Sequence, residues 1–120
     1  MITFNLLVNN SSKWNLYLKN DSEMKNIYYG DQEPEDGMSI NGVTEYITSS
    51  VYISKKLNGF MLIKTLRHEL MHIYLYELGK RDAFYSEDEV CEILADAMPI
   101  IDKTTDEILL KLRNGGNKNE

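Results

Sequence analysis

The stretch FMLIKTLRHELMHIYLYEL, from Phe60 to Leu78, decides the fold. It contains neither proline nor glycine, and Gly79 follows it, where a glycine commonly terminates a helix. Apolar residues recur along the stretch at the spacing of one helical face: Leu62, Leu66, Leu70 and Ile73. The pattern predicts a long helix that is apolar on several sides and largely buried.

The only two histidines of the chain lie four residues apart in this helix, as His68 and His72. Residues four apart lie on the same helical face, so both imidazoles can bind one metal ion. A catalytic zinc ion takes three protein ligands and a water molecule. Glu69 can take the proton of that water and later deliver it to a leaving amine. This H-E-x-x-H spacing predicts His68 and His72 as zinc (Zn²⁺) ligands and Glu69 as the catalytic base.

A simpler interpretation is an ordinary amphipathic helix with two surface or core histidines. Two features favour the zinc site instead. The helix is apolar on several sides, so its histidines need polar partners. A second, acidic helix also follows: SEDEVCEILADAM begins at Ser86, which can cap it, and its first turn is acidic, as the helix dipole favours.

This second helix is expected to supply the third zinc ligand. We favour Glu92, which points more nearly away from the apolar stripe than its rival Glu89, and Asp96 one turn on could orient a bound histidine. Glu89 is the runner-up, although Ser86-x-x-Glu89 also has the form of a capping box. The remaining candidates are Asp88, Glu87 and Cys91, the last being more often a small buried apolar residue.

The rest of the chain predicts strands before the helices and a short helix after them. MITFNLLV and KWNLYL alternate as two strands joined by NNSS, and GVTEYITSSVYIS predicts one or two more, ending near Ser54. From Asn20 to Gly42 turn formers dominate, with GDQEPEDG the clearest loop. Pro99 is expected to end or kink the second helix, and TTDEILLKLR to form a last one, capped by Thr104 or Thr105. The prediction is an α+β fold of N-terminal antiparallel strands followed by the two site helices, as one domain over 1–113 with a disordered tail over 114–120.

Composition and charge restrict the cellular location and the classes of partner that we expect. The formal net charge of −6, without a basic stripe, argues against nucleic acid. No apolar run is long enough to span a membrane, and the N-terminus lacks the form of a signal peptide. The single cysteine, Cys91, cannot form an internal disulfide, so a cytoplasmic location is expected. The oligomeric state is left open.

HELMH followed by CEILAD resembles the gluzincin metallopeptidases. In size and layout the chain is most similar to minimal gluzincins and to the small ImmA/IrrE-like peptidases of bacteriophages and mobile elements. VYISKKLNGFMLIKTLRHELMH has the form of their strand leading into the active-site helix, and the resemblance covers roughly Gly42 to Ile101. It implies a minimal zincin-like fold, with His68, His72 and Glu92 or Glu89 as zinc ligands, and a strand from Val51 to Ser54 that flanks the cleft.

The chain departs from these families at two places. ImmA-like helices carry Glu-Ala-Asn where this chain has EVCEI, and that register would make Glu89 the ligand. No third histidine exists to stabilise the oxyanion, so a tyrosine or arginine would serve instead; the candidates are Tyr85, Tyr74, Tyr52 and Arg67.

Two functions from different classes follow. The first is a zinc-dependent endopeptidase that acts on a dedicated protein substrate, which in ImmA-like relatives is often a repressor. The alternative is a non-catalytic, zinc-stabilised protein that binds a partner as a regulator or inhibitor. Glu69 favours the first, because a structural zinc site has no need of a carboxylate beside the open position. A zinc hydrolase acting on a non-peptide amide is a third possibility, which only substrates can separate from the first.

Overall fold

A four-stranded sheet and three helices make up the parts of the chain that the computed structural model describes, residues 1–7, 12–33, 39–81 and 83–115. The strands are β1 (Ile2–Phe4), β2 (Trp14–Lys19), β3 (Gly42–Glu45) and β4 (Ser50–Ser54). The helices are α1 (Asp21–Tyr29), α2 (Gly59–Glu77) and α3 (Glu87–Arg113). The predicted α+β class is confirmed.

The sheet is mixed, with the strand order β1-β2-β4-β3. The pairs β1–β2 and β3–β4 are antiparallel, as the alternating patterns predict, but β2 and β4 pair in parallel. A parallel pair needs a long crossover, and α1 lies within the one used here. β4 is therefore an interior strand, and β3 forms an edge of the sheet.

The expectation that turns fill the chain from Asn20 onward is wrong, because α1 begins there. The Asn20 side chain accepts a hydrogen bond from the Glu23 amide at 2.8 Å, and the Glu23 carboxylate accepts one from the Asn20 amide at 3.1 Å. Met24 anchors the helix in the interior. Asparagine and aspartate favour helix starts as well as turns, and here this capping box decides between them.

α3 runs through Pro99 as one helix to Arg113, so the predicted end at Pro99 and the separate last helix are wrong. Buried residues continue on one face on both sides of the proline: Ala97, Ile101, Thr104, Thr105 and Ile108. Packing of this face keeps the chain helical, although proline cannot donate a backbone hydrogen bond. The predicted start is confirmed, with Ser86 and Glu89 forming a capping box.

Replacing Pro99 with alanine is expected to stabilise the protein, since it restores a hydrogen bond to the Ala95 carbonyl. Proline costs about 3 kcal/mol relative to alanine inside a helix, and part of this is offset because proline also stiffens the unfolded chain. We expect the free energy of unfolding, measured by urea titration, to rise by about 1–2 kcal/mol. A lower value in the variant would show that α3 needs the proline to follow the core.

The core lies between one face of the sheet and the helices α2 and α3. Trp14, Leu16, Val51 and Ile53 are almost fully buried on the sheet, and they meet Leu66, Leu70 and Ile73 of α2. α2 ends at Glu77 with Gly79 at φ +69, which confirms the predicted stop. The opposite face of α2 is consequently left to carry polar side chains.

Three sequence predictions fall partly outside the described residues. They are the NNSS loop at 9–11, the GDQEPEDG loop at 34–37 and the tail from 116 onward. Within the described ranges, no helix is both long and apolar enough to cross a membrane.

Candidate active site

His68 and His72 lie one turn apart on the exposed face of α2. Their Nε2 atoms are 3.2 Å apart, and the rings are inclined at 76°. Two ligand nitrogens of a tetrahedral zinc ion, each ~2.05 Å from the metal, lie ~3.3 Å apart. The two imidazoles therefore have the spacing that one shared zinc ion requires. A hydrogen bond between two neutral imidazoles has a similar length. A crystal structure of the zinc-loaded protein distinguishes the two arrangements.

Glu69 points away from solvent, into the contact between α2 and β3, and is only 5% exposed. Its Oε1 accepts a hydrogen bond from the Thr44 hydroxyl at 2.7 Å. Its Oε2 lies 3.9 Å from Nε2 of His68. One carboxylate oxygen is thus held by β3, while the other is the one near His68.

On one side of the histidines, two adjoining cavities of about 310 and 300 Å³ form a cleft bordered by α2, β3 and α1. Both are lined by Tyr28, Gly42, His68 and Glu69. The strand beside this cleft is the edge strand β3. The expectation that the strand from Val51 to Ser54 flanks the cleft is therefore wrong, because β4 lies inside the sheet.

On the other side of the histidines, a groove of about 470 Å³ runs between α2 and α3. Its floor is mainly apolar, with Leu94 and Met98 of α3 opposite the two imidazoles. At one end Arg67 forms a 3.1 Å ion pair with Asp102. The histidines thus border both the groove and the cleft along β3.

The two favoured third ligands lie elsewhere. Glu89 and Glu92 line a separate cavity of about 170 Å³ together with Tyr74 and Asp96. Tyr74 is two residues beyond His72, which places it about 200° round the α2 axis from that histidine. Glu92 or Glu89 would reach the imidazoles only if α3 were rotated about its own axis, so their role stays a prediction.

Other acids and Cys91 do not complete a site in the described arrangement. Among residues 1–7, 12–33, 39–81 and 83–115, no three His, Cys, Asp or Glu side chains are grouped to hold a metal ion. Glu89 is also engaged elsewhere: hydrogen bonds at Ser86 hold the pKa of its carboxyl below the ordinary value. Cys91 is an exposed free thiol, and Glu87 and Asp88 are exposed in the first turn of α3.

Asp102 is an acid of α3 that sequence reasoning missed and that lines the same groove as both histidines. The repeat of Leu94, Met98 and Asp102 at four-residue spacing was the signal that could have found it.

The four residues predicted to stabilise the oxyanion lie in different parts of the structure. Tyr52 stacks on Tyr17 across the sheet, and the Tyr85 hydroxyl donates to the Lys80 carbonyl. Tyr74 is buried on the far side of α2, where burial and then the charge of Asp96 raise the pKa of its hydroxyl. Of the four, Arg67 lines a cavity with both histidines.

Tyr28 was not predicted to belong to the site, because its segment was expected to be a loop. It is 57% exposed and lines both cavities of the cleft beside Glu69. Its phenol is therefore a further candidate to contact a bound substrate.

Comparisons of the chain with protein-family models, with curated protein sequences and with solved structures found no match.

Proposed function

We propose that this chain is a zinc-dependent metallopeptidase in which His68 and His72 bind the metal ion and Glu69 is the general base and acid. The observation that carries the proposal is the 3.2 Å separation of the two Nε2 atoms beside a carboxylate whose Oε2 lies 3.9 Å from Nε2 of His68. When bound, zinc would supply a Lewis acid that polarises water and a peptide carbonyl.

The residues around the imidazoles have distinct tasks in this proposal. Oε2 of Glu69 accepts a proton from the attacking water and returns it to the leaving amine nitrogen. β3, which is an edge strand among the described residues and borders the cleft, is proposed to offer its backbone amides and carbonyls to an extended peptide. Arg67, which lines the groove, and Tyr28, which lines the cleft, are the residues proposed to donate to the carbonyl oxygen as negative charge develops on it.

The third ligand is proposed to be a carboxylate of α3. Glu92 and Glu89 are supported by the sequence pattern, and Asp102 by its place in the groove with the histidines. Replacing the true ligand should remove zinc, whereas replacing either of the other two carboxylates should leave it bound.

A peptide with a large apolar side chain beside the cleaved bond is the substrate that the groove favours. Lysine at Met98, which is 55% exposed, is expected to reduce kcat/KM for such a peptide on the order of tenfold. Lysine at Leu110 is the matched control, since Leu110 is 52% exposed on the same helix but does not line the groove. Both variants are measured on a peptide with leucine beside the cleaved bond and on the same peptide with alanine there. Equal cleavage of the leucine peptide by Met98→Lys and Leu110→Lys would contradict the assignment of the groove as the binding site for this side chain.

A protein rather than a short peptide is proposed as the natural substrate. The cleft and groove are open, and large apolar residues around the molecule are exposed, among them Phe60, Met61 and Tyr28. Recognition over a wide surface fits such a site better than a deep pocket does. The free thiol of Cys91 supports a reducing, cytoplasmic setting. A phage or mobile-element origin is supported by the resemblance alone.

Removal of metal is expected to abolish cleavage reversibly. The purified protein should carry about one zinc ion per chain by mass spectrometry and cleave peptides from a mixed library. A chelator should stop cleavage, and zinc should restore it. Protein that binds no zinc, or cleavage that survives complete metal removal, would contradict the proposed function.

The non-catalytic alternative predicts a different result from the same samples. A structural zinc ion has four protein ligands, whereas the site here opens to a cleft and a groove. Tight zinc without cleavage of any peptide or protein would favour this alternative.

A further inference from the structure

The surroundings of Glu69 are more constrained than those of the two histidines. His68 has a side chain that is 65% exposed, whereas the Glu69 side chain is 6% exposed. A glutamate has three rotatable side-chain bonds, and its reactive oxygen has a fixed direction only if neighbouring atoms hold it. Two residues of β3 surround it closely.

Thr44 supplies the first constraint. Its hydroxyl donates to Oε1 of Glu69 at 2.7 Å, within the range of a strong hydrogen bond to a carboxylate. With Oε1 taken, Oε2 is the oxygen that remains towards His68, 3.9 Å from Nε2. The hydrogen bond thus selects which carboxylate oxygen lies towards His68.

Gly42 supplies the second constraint, through the side chain it lacks. A Cβ atom at this position would lie 2.9 Å from both Cγ and Oε2 of Glu69, and equally close to Cγ2 of Thr65. Such distances are shorter than van der Waals contact, so a larger residue would force the Glu69 or Thr65 side chain to shift. The absence of a side chain at Gly42 leaves the space that the Glu69 carboxylate occupies.

The two residues act together because they alternate on one strand. Gly42 pairs with Ile53 and Thr44 with Val51, and both partners are buried on the face that meets α2. β4 is an interior strand, so it gives β3 a rigid neighbour. The carboxylate is therefore seated against the sheet rather than against its own helix.

We propose that Thr44 and Gly42 are positioning residues that hold Glu69 in the orientation required of the general base. This inference rests on the proposed peptidase function. Neither residue touches the reacting atoms. They act by fixing Oε2, and misplacement of a catalytic group by about 1 Å can cost a hundredfold in rate.

The variants Thr44→Val and Thr44→Ser form a matched pair that tests the role of the hydroxyl. Thr44→Val keeps the shape and removes the hydroxyl, whereas Thr44→Ser keeps the hydroxyl. We expect Thr44→Val to lower kcat about ten- to a hundredfold with KM and zinc content unchanged, and Thr44→Ser to stay near wild type. Gly42→Ala should also lower kcat. Thr48→Val, in the β3–β4 turn, controls for a general loosening of the hairpin.

A readout independent of activity is the melting temperature of the metal-free protein. Thr44→Val is expected to lower it by a few degrees, because the buried carboxylate loses its donor. The same substitution should have little effect in a Glu69→Met background, where no carboxylate is present.

The outcomes separate the inference from the function on which it rests. Suppose that the wild type cleaves peptides. The positioning role alone would then be overturned if Thr44→Val had the kcat of the wild type, or if Thr48→Val lost as much kcat as Thr44→Val. Equal melting shifts in the two backgrounds would overturn it as well. Absence of cleavage by the zinc-loaded wild type would overturn the peptidase function, and the positioning role with it.

Discussion

Replacing Glu69 with glutamine is expected to abolish peptide cleavage and to leave zinc bound. Glutamine has the same shape, and its carbonyl oxygen can still accept the hydrogen bond that Thr44 donates to Oε1. It cannot take a proton from water at neutral pH. Loss of a general base typically lowers the rate by about 10²–10⁴-fold, which would be measured as kcat/KM on the best peptide of the library.

Glu77→Gln is the matched control for this substitution. Glu77 lies on the same helix, is partly buried and accepts a hydrogen bond from Trp14 at 2.7 Å, but it lines neither the cleft nor the groove. It should retain cleavage. Equal activity of wild type and Glu69→Gln would remove the catalytic role of Glu69 and favour a non-catalytic zinc protein.

Replacement of either histidine with alanine is expected to remove zinc. Each imidazole supplies one of two protein nitrogens placed 3.2 Å apart, so neither can compensate for the other. We expect zinc affinity to fall more than a hundredfold, beyond the effect of losing a residue that only supports a ligand. The measurement is metal content after dialysis. Lys64→Ala, on the same helix beside the groove and one cavity of the cleft, is the control that should keep zinc.

The same assay identifies the third ligand. Glu92, Glu89 and Asp102 are each replaced with alanine in a separate variant. The variant that has lost the third ligand should lose zinc, and the other two should retain it. Glu89→Ala also removes the carboxylate that accepts a hydrogen bond from the Ser86 amide, so this variant is expected to lose some stability as well. Its melting temperature therefore has to be compared with its zinc content. Full zinc in all three variants would show that α3 does not supply the ligand.

Features set by neighbours in the sequence were predictable. The α2 helix follows from unbroken periodicity, its end from Gly79, and the start of α3 from the Ser86–Glu89 pair. The convergence of His68 and His72 follows from their four-residue spacing alone. Each depends on contacts within about one helical turn, which a linear pattern records directly.

Features set by packing across the fold were not predictable in this way. α1 was hidden because its residues suit turns as well as helices, and the course of α3 through Pro99 is determined by the core it meets. The parallel pairing of β2 with β4 decides that β3 is the strand beside the site.

The contact between Thr44 and Glu69 shows the same limit at the site itself. The two residues are 25 positions apart, and their contact depends on the register of β3 against β4 and on how α2 crosses the sheet. The rotation of α3 likewise decides whether Glu92 or Asp102 faces the histidines. No spacing rule within either segment contains that information.

The central claim is that one zinc ion is shared by His68 and His72. A crystal structure of the zinc-loaded protein, with anomalous diffraction recorded at the zinc edge, tests it most directly. The account predicts a single anomalous peak ~2.0–2.1 Å from both Nε2 atoms, with the Glu69 carboxylate beside it. Two imidazoles hydrogen-bonded to each other, with the zinc signal elsewhere or absent, would contradict it.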